Sequence, residues 1–150
     1  MYSITSSIKI KVPLQAVQQN IWNIQFWTFI WNPLQKVRVF YDDGIHQDFE
    51  LQVEWQGSIE NVRTIRFLKD SKNIFFFSPK PPSPTILHHG LWHFTPLLNQ
   101  VTELVATRWF KLPDFDNYNR KVHKQDFING FQLRLDNLVD KLRGLCEKQM

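Results

Sequence analysis

The sequence is poor in the residues that most often announce a chemistry. It holds one cysteine, Cys146, so no internal disulfide can form and a reducing, cytoplasmic setting is expected. Five glycines in 150 residues leave no phosphate-cradling loop and no dinucleotide fingerprint, which argues against phosphoryl and hydride transfer. Long apolar runs are missing too: Ile74-Phe75-Phe76-Phe77 falls far short of a membrane span, and the opening MYSITSSIKIKV lacks a signal peptide's apolar core. A soluble protein without membrane insertion is expected. Charge of one sign is not concentrated anywhere. The 18 Lys and Arg and 14 Asp and Glu are spread along the chain for a net +4, whereas nucleic-acid binding would need a concentrated basic face. No nucleophile elbow is present, and Cys146, near what reads as a helix end, has no credible catalytic partner.

What the chain does have is aromatic mass. Its 13 Phe, 6 Trp and 3 Tyr make up 15% of the residues, within a 43% hydrophobic and 21% charged composition that predicts a packed globular body. The length suits one domain over residues 1–150, with no repeat, low-complexity segment or boundary inside it.

Periodicity sets the order of elements. Ile4, Ser6, Ile8, Ile10 and Val12 alternate as a first strand that Pro13 stops. From Leu14 to about Trp31 there is no Gly or Pro, and Val17, Ile21, Ile24, Trp27 and Trp31 recur at helical spacing. The segment reads as one helix, or two short ones broken near Trp22 to Phe26, with Asn32-Pro33 as terminator. Strands follow. Val37, Val39 and Tyr41 alternate into the hairpin signal Asp42-Asp43-Gly44, and Phe49, Leu51, Val53 and Trp55 alternate into a turn at Gln56-Gly57-Ser58. Ile59 to Leu68, Ile74 to Pro79, Ile86 to Thr95 and Val101 to Leu112 complete the run, with a polar turn at Lys69 to Asn73, a proline-rich loop from Pro79 to Pro84 and a turn near Leu98-Asn99-Gln100. Beyond Pro113-Asp114, Asn117 to about Lys148 reads as a long helix. Phe127, Phe131, Leu135, Leu138, Leu142 and Leu145 draw one apolar stripe along it. Strand, helices, about six strands and a long amphipathic helix fit an α+β design: a curved antiparallel sheet wrapped round the last helix, the early helices closing one end. Such a shape tends to leave a cavity between sheet and helix, the natural place for a ligand.

These elements resemble the helix-grip superfamily, which contains the START domains, the birch-pollen-allergen proteins and the polyketide aromatase/cyclases, and within it the single-domain bacterial polyketide cyclases. The resemblance is carried by Ile8-Lys9-Ile10-Lys11-Val12-Pro13-Leu14, Trp27-Thr28-Phe29-Ile30-Trp31, Val62-Arg63-Thr64-Ile65-Arg66-Phe67, His88-His89-Gly90-Leu91-Trp92-His93-Phe94, Thr102-Glu103-Leu104-Val105 and the terminal helix. It spans nearly the whole chain, in short and degenerate motifs. It implies a cavity-facing arginine two positions after a small hydroxyl residue, on a central strand, that binds and polarises ketone oxygens; Arg66 and Thr64 match those places. Trp92 would be the tryptophan of the strand lining the pocket. Two departures stand out: Thr64 replaces a serine, and Leu34 falls where a pocket tyrosine is expected, so a proton donor is missing or comes from elsewhere. Asn129 lies near the place of a contributing asparagine on the last helix.

On a strand, Val62, Thr64 and Arg66 share one face and Arg63 and Ile65 the other. The competing arrangements put Arg63 inside or leave both arginines on the surface. A guanidinium stays charged and could hold a developing enolate oxygen. His88 shares a face with Gly90, Trp92 and Phe94 and is a candidate general base if that face is the pocket, or a histidine at the strand mouth if not. Arg108 shares parity with Ala106 and Phe110 and is either a second polar group inside or a surface residue. Trp27, Trp31, Trp92 and Phe94 are core or cavity wall. The Pro79 to Pro84 loop is either a rigid surface connection or the border of an entrance. His89 and His93 would bind zinc on a helix but stand about 13 Å apart on a strand, so no metal or other cofactor is expected. The first function implied is a polyketide cyclase/aromatase whose substrate arrives on an acyl carrier protein, Arg66 anchoring a ketone, Thr64 bonding the chain or a water, and His88 moving protons. The second is a non-catalytic carrier of a lipid, quinone or other apolar ligand. A partner-binding module with a filled interior is a distant third.

Overall fold

The alternation of buried and exposed side chains along each strand decides which face of the sheet closes over the interior. A computed structural model of the protein describes residues 1–55, 57–114 and 120–148. Its elements are β1 (Tyr2–Ile10), α1 (Leu14–Trp22), a short 3-10 helix (Ile24–Phe29), β2 (Leu34–Asp42), β3 (His46–Trp55), β4 (Ser58–Asp70), β5 (Asn73–Lys80), β6 (Leu87–Leu97), β7 (Val101–Lys111) and α2 (Arg120–Lys148). The break expected between Trp22 and Phe26 falls at Asn23. The helix expected from Asn117 begins, among the described residues, at Arg120, and Asn117 itself lies outside them, as does Gln56 of the β3–β4 turn.

The strands form one antiparallel sheet in the order β1-β7-β6-β5-β4-β3-β2. The hairpin at Asp43-Gly44 is fixed by Gly44 at φ +86° and by Asp43 Oδ1, which accepts the amides of Ile45 and His46 at 2.9 and 2.6 Å. Pairing register lays side chains of one face in rows across the sheet. One inner row runs Gln47, Arg66, Phe76, Gly90, Arg108 and Ile4 from β3 to β1. Gly90 is required there: a Cβ would lie 2.4 Å from both the Phe76 ring and the Thr107 carbonyl oxygen.

α2 lies across the inner face. Its register differs from the expected stripe at the C-terminal end, where Val139, Leu142 and Cys146 are buried and Leu145 is only half-buried. Cys146 is fully enclosed, and burial pushes its thiol up to about 11, with Glu147 adding to the shift. The C-terminal half of α2 thus seals the core against β1 and α1, with Glu147 accepting the Lys11 amide at 2.9 Å. Its N-terminal half roofs a hollow instead.

Candidate active site

A cavity of about 380 Å³ separates the N-terminal half of α2 from the central strands. Its floor is the inner face of β3 to β7, its roof carries Phe127, Phe131 and Leu135, and Trp27 and Trp31 form one side. Pro33, Glu54, Glu60, Pro82 and Ser83 also line it, and the Ser83 amide donates to Glu60, so the proline-rich loop does border the cavity.

The inward face of β4 carries Val62, Thr64 and Arg66, all buried, while Arg63 turns outward and is bidentate to Asp48 at 2.6 and 3.0 Å. Arg66 is 2% exposed. Its Nε donates to Gln47 Oε1 at 2.8 Å, Nη2 to the same oxygen at 2.6 Å and to the Trp22 carbonyl at 2.8 Å, and Nη1 to the Ile21 carbonyl at 2.9 Å. Of the five N–H groups a guanidinium has, one, on Nη1, is left for anything else. Arg66 therefore ties β4 to the last carbonyls of α1, which have no partner within their own helix. Gln47 completes the clamp through Nε2, donating to the Trp22 carbonyl at 2.9 Å and to Asp42 at 3.0 Å. Burial pushes Arg66 down to about 9, with Asp42 opposing the shift and Arg108 adding to it, so it stays charged at neutral pH.

Arg108 is bound quite differently. Its guanidinium carbon stands 4.5 Å from the ring centres of both Phe76 and Trp92. Among the described residues its one hydrogen bond is Nη1 to the neighbouring Thr107 carbonyl at 3.4 Å, long for its kind. It is 7% exposed, and burial pushes it down to about 9. Four of its N–H groups have no partner among the described residues, and the residue lines the cavity.

Beside this row lies a second polar one. Thr64 Oγ1 is 3.2 Å from Ser78 Oγ, and Ser78 Oγ is 3.1 Å from His88 Nδ1. His88 Nε2 is buried and has no partner among the described residues. Its ring packs between Phe76 and Phe131, at centroid distances of 5.2 and 5.7 Å. Burial pushes His88 down to about 3, with Arg108 and His89 adding to the shift. Burial thus favours the neutral imidazole, the form with a free ring nitrogen to accept a proton, and makes it a weaker base than a free one.

No family model matches the chain. Over 111 residues it is 25% identical to the granaticin polyketide synthase bifunctional cyclase/dehydratase of Streptomyces violaceoruber, a match that covers 73% of this chain and spans 34% of that protein's length. The ZhuI aromatase/cyclase from Streptomyces superposes with a TM-score of 0.87 at 15% identity, over 99% of this chain and 94% of that one. A START superfamily protein from Mycobacterium smegmatis does so with a TM-score of 0.73 at 15% identity, over the full length of both chains. The fold is the helix-grip fold.

Within the helix-grip, the residues singled out in the sequence divide. Arg66, Thr64, His88, Trp27, Trp31, Val62, Trp92 and Arg108 all line the cavity. Leu34, Phe94, Phe110 and Asn129 do not. Leu34 pairs with Val53 and packs in the core, so the expected place of the tyrosine is not a lining position here. Trp31, three residues earlier, instead offers a buried indole N–H with no partner among the described residues. Phe94 continues the face of His88 and Trp92 but is fully buried in the core. Phe110 is covered by Phe131, at 5.1 Å between ring centres. Asn129 is exposed and accepts from Gln125 at 2.8 Å, because it stands two residues, about 200° of helix, from both Phe127 and Phe131. Residues that the sequence reading passed over are Gln47, Ser78, Phe76 and Arg134, which lines the roof beside the Phe127 and Phe131 rings. Strand parity had the signal for Phe76 and Ser78, two residues apart on β5, and helical spacing had it for Arg134, three residues from Phe131 and seven from Phe127. His93 bonds Asn73 at 2.7 Å and His89 stacks on Trp109 on the outer face, and the described residues contain no cluster of His, Cys, Asp or Glu that could hold a metal.

Proposed function

We propose that the protein is a polyketide aromatase/cyclase that folds a linear poly-β-ketone in its cavity and directs one aldol ring closure and dehydration. The observation that carries this reading is a largely apolar, aromatic-walled cavity whose lining also includes the Arg108 guanidinium, Arg66, Trp31 with its buried indole N–H, and His88 with its buried Nε2. The aromatic walls would hold one folded geometry of a flat, conjugated chain, so that one closure outruns the spontaneous ones. Arg108 and Arg66 would polarise ketone oxygens as charge develops on them. Thr64 and Ser78 would hold His88 so that its Nε2 bonds the chain or a water. The similarity to the granaticin cyclase/dehydratase supports this class. An acyl carrier protein is the proposed donor of the substrate, and the net charge of +4 agrees with docking an acidic one.

A specific observation also favours the alternative, a non-catalytic carrier of an apolar ligand. Four N–H groups of Arg66 are engaged with the protein, and His88 is held as a weak base. One experiment separates the two. A minimal synthase supplies the carrier-bound poly-β-ketone, and products are resolved chromatographically with no protein, wild type, Arg66→Lys and Arg108→Met. A cyclase yields one dominant aromatic product, which Arg108→Met lowers about 100-fold, the typical cost of losing an electrostatic donor. An unchanged spontaneous mixture from folded wild type would count against cyclase activity on that substrate and favour the carrier reading.

A further inference from the structure

Arg66 and Arg108 face the cavity from the sheet, Arg134 lines it from α2, and His88, the titratable group beside Arg108, is neutral. The lining carboxylates among the described residues are Glu54 and Glu60, both next to the β3–β4 turn. Glu60 stands six residues along β4 from Arg66, about 20 Å of strand, and Arg108 is three strands over from β4. Neither carboxylate can neutralise Arg108. A buried cation with four N–H groups and no anion beside it among the described residues is costly unless something else supplies the charge.

The surroundings of Arg108 say what that something is. Phe76 and Trp92 hold the guanidinium between them, at 4.5 Å from each ring centre. Gly90, directly opposite Arg108 in the row, leaves the room that the Phe76 ring occupies. The fork is thereby held against two aromatic rings, with His88 Nε2 and Trp31 Nε1, also without partners among the described residues, belonging to residues of the same cavity. A fixed planar fork suits a planar oxyanion, in which charge is shared over coplanar oxygens.

We propose that this cavity takes its ligand as a flat, conjugated oxyanion, a carboxylate, enolate or phenolate, seated on Arg108. The inference deepens the reading of the cavity as the substrate site by naming the charge state of what it binds; for a poly-β-ketone that state is the enolate of a 1,3-dicarbonyl unit. It assigns to Arg108 the anchoring role for which the sequence favoured Arg66, because Arg66 is engaged with α1 and Gln47.

Quenching of tryptophan fluorescence at pH 8 tests this with three flat probes: 2-naphthoate for a carboxylate, the 4-nitro-1-naphthol anion for an enolate or phenolate, and neutral 2-acetylnaphthalene. At least one anion is expected to bind wild type about 10-fold or more tightly than the ketone, the worth of one charge-assisted hydrogen bond. Which anion it is tells a carboxylate ligand from an enolate-like one. Arg108→Met should erase the preference, so that the anions bind no more tightly than the ketone, while Arg108→Lys should keep part of it. Equal affinity of wild type for the ketone and both anions, no binding of any probe, or a preference that survives in folded Arg108→Met would each overturn the proposal. Product profiles do not enter, so an anion preference without ring closure would retain this site and reject the cyclase, and the reverse pattern would do the opposite.

Discussion

At the scale of single residues, the most consequential feature is a histidine kept from its usual chemistry. His88 has an ordinary value of 6.5 and is pushed down to about 3 in the folded protein. As pH falls, the unfolded chain takes up this proton first, so the linkage penalises the folded state below pH 6.5 and not above it. Wild type should lose about 2 kcal/mol of unfolding free energy between pH 7 and pH 5 on this account. Asp43 and Asp70, whose carboxyls are held below their ordinary 3.8 by backbone amide hydrogen bonds, titrate outside that interval. Urea denaturation at the two pH values checks the loss, and His88→Asn, with no proton to gain, should show little of it. A wild type equally stable at both would mean that His88 is not desolvated as described. The identity of such residues was legible because strand parity is a strict rule: once Val62, Thr64 and Arg66 share a face, the outward Arg63 follows. What each does was not, because a partner such as Gln47 or Ser78 lies on another strand and is fixed only by register.

Elements meet at Arg66, and its role is decided by what it joins. The inner end of α1 would present bare carbonyls at Ile21 and Trp22; Arg66 and Gln47 cover both from the sheet. Arg66→Met should cost about 3 kcal/mol, since it strands a buried carbonyl and the Gln47 oxygen. Gln47→Leu should cost a similar amount by leaving a buried guanidinium short of its acceptor. Thr64→Val, one strand position pair away, removes only the Ser78 hydrogen bond and should cost about 1 kcal/mol. Denaturant titrations of the three would rank them, and Arg66→Met no worse than Thr64→Val would dismiss the clamp. The run of strands, the break near Asn23 and the long last helix were readable from periodicity. The phase of that helix over its final turns was not: Leu142 and Leu145 fit a stripe on paper, yet the close approach to α1 and β1 selects Leu142 with Cys146 instead. The same phase carries Asn129 away from the cavity.

For the molecule as a whole, the helix-grip divides its labour along α2. Over the last turns the interior is filled, with Val139, Leu142 and Cys146 in the core and Glu147 fastened to the Lys11 amide. Over the first turns it is hollow, and Phe127, Phe131 and Leu135 look down on the cavity. Stability and ligand binding should therefore separate along one helix. Leu142, fully buried, would leave a new void in close packing, so Leu142→Ala should cost about 3 kcal/mol. Phe131 is only half-buried and already borders empty space, so Phe131→Ala enlarges a void that exists and should cost about 1.5 kcal/mol despite the larger side chain. Affinity should follow the opposite order, with flat aromatic probes weakened by Phe131→Ala and unaffected by Leu142→Ala in protein that remains folded. Denaturant titration and probe binding on the same two variants measure both. If Phe131→Ala proved the more destabilising, the roof would be part of the core, and the space beneath it would have to be filled when the protein folds. The two costs in the expected order would instead place the reserve of stability at the far end of the helix, which is what allows the near end to stand over an open site.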